Sequence, residues 1–231
     1  MAVEHQVQDL FDRIAPVYDG LNDWLSLGQH RIWKRMTVKW SEAREGDTCL
    51  DLCCGSGDLA VLLGAVVGQT GTVIGLDFAP AQLTIARQRS HHQPQIEWIQ
   101  GDALTIPYPD NSFAAITMGY GLRNVSDIPT CLREIYRVLQ PGKKAALLDF
   151  NPSELPWIQA FQQFYLNHIV VPVAAQWGLT SEYAYILSSL EKFPPGRKQV
   201  DLALQAGFNQ AVHYSIAVDT MGVLVLTKQA E

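Results

Sequence analysis

Residues Asp51-Leu52-Cys53-Cys54-Gly55-Ser56-Gly57-Asp58-Leu59-Ala60 decide the fold. A short apolar run, Thr48–Cys53, ends in two glycines spaced by one residue, and a helical pattern over Leu59–Val67 starts directly after them. Glycines at such a strand-to-helix turn admit left-handed backbone and let a ligand approach the main chain. Downstream the alternation continues, with strands predicted at Thr72–Asp77, Ile96–Gln100, Phe113–Met118 and Ala145–Phe150. Helical spacing fills the gaps at Pro80–Ser90 and Ile128–Leu139. This order builds a parallel sheet with helices on both faces. Ala79-Pro80 places proline in a first helical turn, Ser126-Asp127 offers an N-cap, and Pro141-Gly142 stops the last of these helices.

The C-terminus breaks the pattern. Ala211–Ile216 and Met221–Thr227 are β-rich runs joined by Ala217–Thr220, a hairpin-length connection. The expected fold is therefore α/β and doubly wound, a seven-stranded, mostly parallel sheet with an antiparallel C-terminal strand, in a single domain over 1–231. Two segments lie outside the alternation. Residues 1–46 carry Val7, Leu10, Phe11, Ile14 and Tyr18 at helical spacing and read as an N-terminal helical cap. Residues 151–200 carry Trp157, Phe161, Phe164, Tyr165 and Ile169 and read as a helical insertion, so that the two segments together roof an apolar pocket. Such a pocket belongs beyond the carboxyl ends of the strands.

Composition narrows the function classes. Apolar residues make up 48% of the 231 and charged residues 17%, which suits a packed core and argues against disorder. The net charge, 17 − 23 = −6, argues against a nucleic-acid partner. No stretch reaches the roughly 18 apolar residues of a membrane span. The best run, His168 to Ala175, is short and holds Pro172. Met1–Phe11 lacks the pattern of a signal peptide, so a cytoplasmic protein is expected, with peripheral membrane contact and self-association left open. The four cysteines, at 49, 53, 54 and 131, lack metal spacing and are expected to be packed thiols rather than a Cys53–Cys54 disulfide. His91-His92 has no neighbouring ligand partners and reads as a solvated helix end; no metal is expected.

The glycine turn alone fits two ligands. Gly55-x-Gly57-x-x-Ala60 also satisfies a relaxed dinucleotide fingerprint, and Asp77, twenty residues past Gly57, can take ribose hydroxyls. Charge separates the two ligands. Asp51, Asp58, Asp77 and Asp102 fall at or near the ends of the first three strands. Asp58 would oppose a pyrophosphate at the helix N-terminus, at a cost on the order of 4 kcal/mol at about 4 Å and an effective dielectric near 20. S-adenosylmethionine carries a sulfonium and an ammonium, which acidic groups suit. Its carboxylate can use the N–H groups around Gly55, Ser56 and Gly57, and Asp102 is placed to accept from the adenine amino group. These residues point to a class I S-adenosylmethionine methyltransferase. The rivals are an NAD(P)-dependent oxidoreductase and a scaffold that keeps the fold without chemistry.

Two further segments carry a resemblance. Tyr18-Asp19-Gly20-Leu21-Asn22-Asp23-Trp24-Leu25-Ser26-Leu27-Gly28-Gln29-His30-Arg31-Ile32-Trp33 resembles the first signature of the ubiquinone/menaquinone biosynthesis C-methyltransferases. Gly121-Leu122-Arg123-Asn124-Val125-Ser126-Asp127 is similar to that family's segment after the fourth strand, and the likeness runs from Val7 to Lys228. Leu52–Asp58 resembles the plant and cyanobacterial branch. The resemblance implies a prenylated naphthoquinol substrate, reduced 2-phytyl-1,4-naphthoquinone, giving phylloquinone; demethylmenaquinone or a ubiquinone precursor are the alternatives. It places cofactor contacts at Ser56, Asp77, Asp102, Ala103 and Gly119. The chain departs from the family pattern at Ser56 (often Thr), at Gly119 (often Ser), and at Gln140-Pro141-Gly142-Lys143 and Asp149-Phe150-Asn151.

A quinone ring carbon is electron-poor, whereas a deprotonated hydroquinone pushes charge onto the carbon that must attack. Holding it in line with the methyl group supplies much of the rate, and excluding water keeps the phenolate reactive. Arg123 and Asn124 are expected to face the pocket. The arginine is a poor base and would stabilise the phenolate or orient a water. His30 has the pKa for proton transfer, though it reads equally as a packing residue. Tyr18 and Asp19 could hydrogen-bond either ligand, Asp149 could join the proton chain, and Trp157, Phe161, Phe164 and Tyr165 are expected to line a channel for the tail.

Overall fold

The computed structural model describes residues 28–172 and 188–230. Helix α1 (Gln29–Trp40) leads into β1 (Thr48–Leu52), α2 (Asp58–Val67), β2 (Thr72–Asp77), α3 (Pro80–Arg89), β3 (Ile96–Gln100) and β4 (Phe113–Gly119). A 3-10 turn (Leu122–Asn124), α4 (Ile128–Val138), β5 (Leu139–Phe150), α5 (Pro156–Tyr165), a π-helical turn (Leu166–Val170), α6 (Gly196–Gln205), β6 (Gln210–Ile216) and β7 (Met221–Thr227) follow.

The strands form one seven-stranded sheet in the order β3-β2-β1-β4-β5-β7-β6. β1, β2, β3, β4 and β5 run parallel, and β7 is antiparallel to both β5 and β6. The order reverses between β1 and β4, which makes the carboxyl ends of those strands the place for a ligand. β1 and β4 are apolar and buried along almost their whole length because helices cover both faces. On one face Leu50, Leu52, Ile116 and Met118 meet Leu132 and Ile135 of α4 and Ala203 of α6. On the other, Cys49, Val73 and Ala115 meet Leu59, Leu63 and Val67 of α2 and Val38 of α1.

Local chemistry sets most boundaries where the sequence places them. Pro80 opens α3, and the Asp127 carboxylate accepts from Thr130 N at 3.1 Å to cap α4. Several boundaries shift by one residue and that of β5 by six, and two of these shifts have a clear cause. β1 ends at Leu52 because Cys53 turns into left-handed backbone, φ 54°. β5 begins six residues before Ala145, since Leu139 already pairs with Phe113 across a register shift. Of the proposed N-terminal cap only α1 and the stretch up to β1 are described; residues 1–27, including Tyr18 and Asp19, lie outside the described residues, as do 173–187 of the insertion. No helix among the described residues is long and apolar enough to cross a membrane.

Candidate cofactor and substrate site

A cavity of about 310 Å³ opens beyond the carboxyl ends of β1, β2 and β4. Its wall brings together Asp51, Gly55, Ser56, Asp77, Asp102, Ala103, Gly119 and Asn124, so eight of the expected site residues share one space. The turn after β1 makes this possible. Cys53, Gly55 and Gly57 have φ of 54°, 52° and 91°, which bends the chain back over the sheet edge.

Asp77 holds this turn to β2. Its Oδ2 accepts from Gly55 N at 2.8 Å and its Oδ1 from Ala79 N at 2.9 Å. Each carboxylate oxygen has a second lone pair, so the group can still accept from a ligand hydroxyl. Asp51 lies deeper, accepting from Thr117 Oγ1 at 2.8 Å and from Ala60 N at 2.9 Å. Burial pushes its pKa up to about 7 against those two hydrogen bonds, with Asp58 and Asp77 adding to the rise. Asp102 is exposed and accepts from Leu104 N at 2.9 Å.

Gly57 is not on the cavity wall. A Cβ there would sit 2.4 Å from the Trp98 ring, so this glycine serves the packing of β3 against the turn instead of giving a ligand access. Gly55 answers the sequence expectation better, since a Cβ on it would meet nothing closer than 3.9 Å.

Asp58 also corrects the sequence reading. Its Oδ2 is ion-paired to Lys34 Nζ and its Oδ1 to Arg89 at 2.6 Å. Burial alone would raise its pKa, but these two cations outweigh that and hold it below the ordinary carboxylate value. Arg89 also donates to Ser56 Oγ at 2.8 Å. Asp58 is therefore already paired with two cations and is not the group that turns a diphosphate away.

Arg123 and Asn124 part company. Asn124 lines the cavity; Arg123 does not. The guanidinium is buried, 2.6 Å from Asp149 Oδ1, and its NH1 also donates to Tyr120 O at 3.1 Å. Asn124 Nδ2 donates to the same carbonyl at 2.8 Å, and its Oδ1 is buried with no hydrogen-bond partner among the described residues. Asp149, read as a member of a proton chain, instead anchors this turn, since its Oδ2 also accepts from Arg123 N at 3.1 Å. His30 is buried on α1 and is not among the residues that line the cavity.

The aromatic row of α5 faces the other way from the expected channel. Ile158 and Gln162 are its buried residues, while Trp157, Phe161 and Phe164 are 62%, 56% and 56% exposed and none lines the cavity. The thiols of Cys49, Cys53, Cys54 and Cys131 are free, and burial raises the pKa of each. No metal-binding cluster occurs among the described residues.

Several wall residues were not singled out from the sequence: Lys34, Phe78, Gln82, Leu104 and Tyr120. Lys34 had a legible signal, a basic residue four positions after His30 on the same helix face. The others follow the ends of β2, β3 and β4 and carry no pattern of their own.

The family model for the ubiE/COQ5 methyltransferase family matches residues 1–228. The chain belongs to that family. It is 59% identical to the 2-phytyl-1,4-naphtoquinone methyltransferase of Nostoc punctiforme over 97% of this chain and 99% of that one. It is 52% identical to the chloroplastic 2-phytyl-1,4-beta-naphthoquinone methyltransferase of Arabidopsis thaliana, over 94% and 85% of the two chains. A solved S-adenosylmethionine-dependent methyltransferase from Aquifex aeolicus shares the fold, with a TM-score of 0.61 at 18% identity over 84% of this chain and 88% of the other. Methyl transfer is therefore the reaction class, as the sequence led one to expect, and the hydride-transfer rival falls away.

Proposed function

We propose that the protein C-methylates reduced 2-phytyl-1,4-naphthoquinone, with S-adenosyl-L-methionine as donor, in the last step of phylloquinone synthesis, and that residues 1–231 act as one methyltransferase domain. The near end-to-end identity of 59% with a relative named for that substrate carries the reading. The residues present fit the donor: Asp51, Asp77 and Asp102 offer acceptors on the wall, and the volume suits a bound small molecule. When bound, S-adenosylmethionine supplies a methyl group already activated by its sulfonium.

The chain's own part is to hold and orient. Gly55 and Ser56 offer backbone at the turn, Asp77 takes ribose hydroxyls, Asp102 and Ala103 border the adenine, and Gly119 leaves space beside Leu59. Asn124 receives the substrate. Its amide nitrogen is committed to Tyr120 O, so the partnerless Oδ1 is an acceptor, suited to a hydroquinone hydroxyl and unsuited to a quinone carbonyl. Arg123 acts through this contact. Paired with Asp149, it fixes the carbonyl that orients Asn124. The outward aromatic row on α5 suits a lipid surface, from which a phytyl-tailed substrate would come.

Labelled S-adenosylmethionine with chemically reduced 2-phytyl-1,4-naphthoquinone in lipid vesicles tests the proposal. Label is expected on the ring carbon of the reduced naphthoquinol, and not on the oxidised quinone. Phe161→Asp is expected to slow transfer to the tailed substrate while sparing a tail-less naphthoquinol in solution. A preference for a demethylated benzoquinol would move the protein to ubiquinone precursors, and no transfer to any quinol would leave the scaffold reading.

Asp51 predicts a pH dependence. A cationic ligand favours the ionised carboxylate, so binding below its pKa of about 7 must release a proton. Affinity for S-adenosylmethionine is expected to fall about tenfold per pH unit below that point and to level off above it. Calorimetry across the range checks this, and in Asp51→Asn the slope should vanish.

A further inference from the structure

Lys34 projects from α1 to the cavity wall, and its side chain is only 8% exposed. An ammonium has three donors. Among the described residues, this one has a single hydrogen-bond partner, Asp58 Oδ2. A buried ammonium with spare donors at the edge of a cavity is a place for an acceptor from outside the chain.

The charge around it says which kind. Asp58 is shared between Lys34 and Arg89, so Lys34 does not hold this carboxylate alone. The pair lies at the first residue of α2, where the helix dipole adds partial positive charge. Elsewhere the wall is acidic: Asp51 lies near the end of β1, Asp77 ends β2, and Asp102 comes after β3. The cavity thus has an ammonium with spare donors at one corner and carboxylates along the other side. The donor's amino-acid end is a zwitterion, and its carboxylate is the group the aspartates would repel.

We infer that Lys34 receives the α-carboxylate of S-adenosylmethionine, using the donors that Asp58 leaves over. This rests on the cofactor reading above and adds to it a residue outside the glycine turn. Lys34 then has two partners at once. Asp58 fixes its position at the start of α2, and the ligand completes its coordination. α1 becomes part of the cofactor site, and donor binding ties the N-terminal helix to the turn after β1.

The test compares S-adenosylhomocysteine with its decarboxylated counterpart, S-adenosyl-3-thiopropylamine, by titration calorimetry of the full chain. The wild type is expected to prefer the carboxylated ligand by about 10- to 100-fold, the range of a hydrogen bond to a charged group. Lys34→Met should remove that preference by weakening S-adenosylhomocysteine alone, leaving the thiopropylamine within about twofold. Asp58 keeps Arg89 in this variant, so its carboxylate is not stranded, and Lys34→Arg should restore much of the preference. Equal loss for both ligands in Lys34→Met, or no loss for either, would overturn the assignment. A wild type that binds both ligands alike would overturn it too while leaving the cofactor reading intact. If the wild type binds neither, the cofactor reading itself fails.

Discussion

Arg123→Met is expected to cost the folded state about 3–5 kcal/mol and to abolish methyl transfer. The side chains of Arg123 and Asp149 are 4% and 5% exposed and meet at 2.6 Å. The guanidinium also lies 5.0 Å from the centre of the Phe150 ring. Removing it strands a buried carboxylate whose remaining partners among the described residues are the backbone N–H groups of Arg123 and Phe150. Loss of activity in that variant alone would be ambiguous, because an unstable protein also fails to turn over. The double variant Arg123→Met/Asp149→Leu separates the two effects. With both charges gone the penalty largely disappears, since apolar replacement of a buried pair is often close to neutral. Urea unfolding should therefore return near the wild-type midpoint. Single-turnover methyl transfer should stay absent, because Tyr120 O has lost a donor that holds it for Asn124. Cofactor affinity should remain nearly intact in the double variant. Recovery of both stability and transfer would reduce the pair to a structural brace.

The contrast between Arg123 as read and Arg123 as placed shows where sequence stops. Alternating strands and helices, the proline at α3 and the cap at Asp127 are local patterns, and all were legible. The placement of Asp51, Asp77, Asp102 and Asn124 on the cavity wall was legible too, because they lie near or beyond the carboxyl ends of strands that the pattern locates. Pairing between distant charges is not local. Asp58 meets Lys34 and Arg89, 24 and 31 residues away, and Arg123 meets Asp149, 26 away. A carboxylate counted bare in the sequence is neutralised in the fold, and a guanidinium expected to touch substrate is spent on a neighbour. Helical spacing has a similar limit. It establishes that Trp157, Phe161 and Phe164 share a face, but not that the face points inward. Gln162 takes the inward position because its Nε2 donates to Asn151 O at 2.9 Å, a contact that no hydrophobic pattern reports.

Gly57→Ala is the second large effect expected. At φ 91° an L-residue pays roughly 1–2 kcal/mol for left-handed backbone. The new methyl would also overlap three atoms of Trp98, at 2.4, 3.2 and 3.2 Å. The ring has little room to retreat. Its other side lies against Gly75, where an added Cβ would again be 2.4 Å away, and its Nε1 donates to Ser90 Oγ at 3.0 Å. Overpacking of this kind adds about 1–3 kcal/mol, so the total loss is about 2–5 kcal/mol, measurable as a fall in unfolding midpoint. Because Trp98 is the obstacle, Trp98→Leu in the same chain should recover the overlap part and leave the backbone part. Gly55→Ala offers the internal comparison: it shares the left-handed backbone, φ 52°, but meets open space towards the cavity. It should destabilise only by the backbone cost while weakening cofactor binding directly. If Gly57→Ala lowered cofactor affinity at unchanged stability, the ligand and not the tryptophan would be what demands glycine at that position.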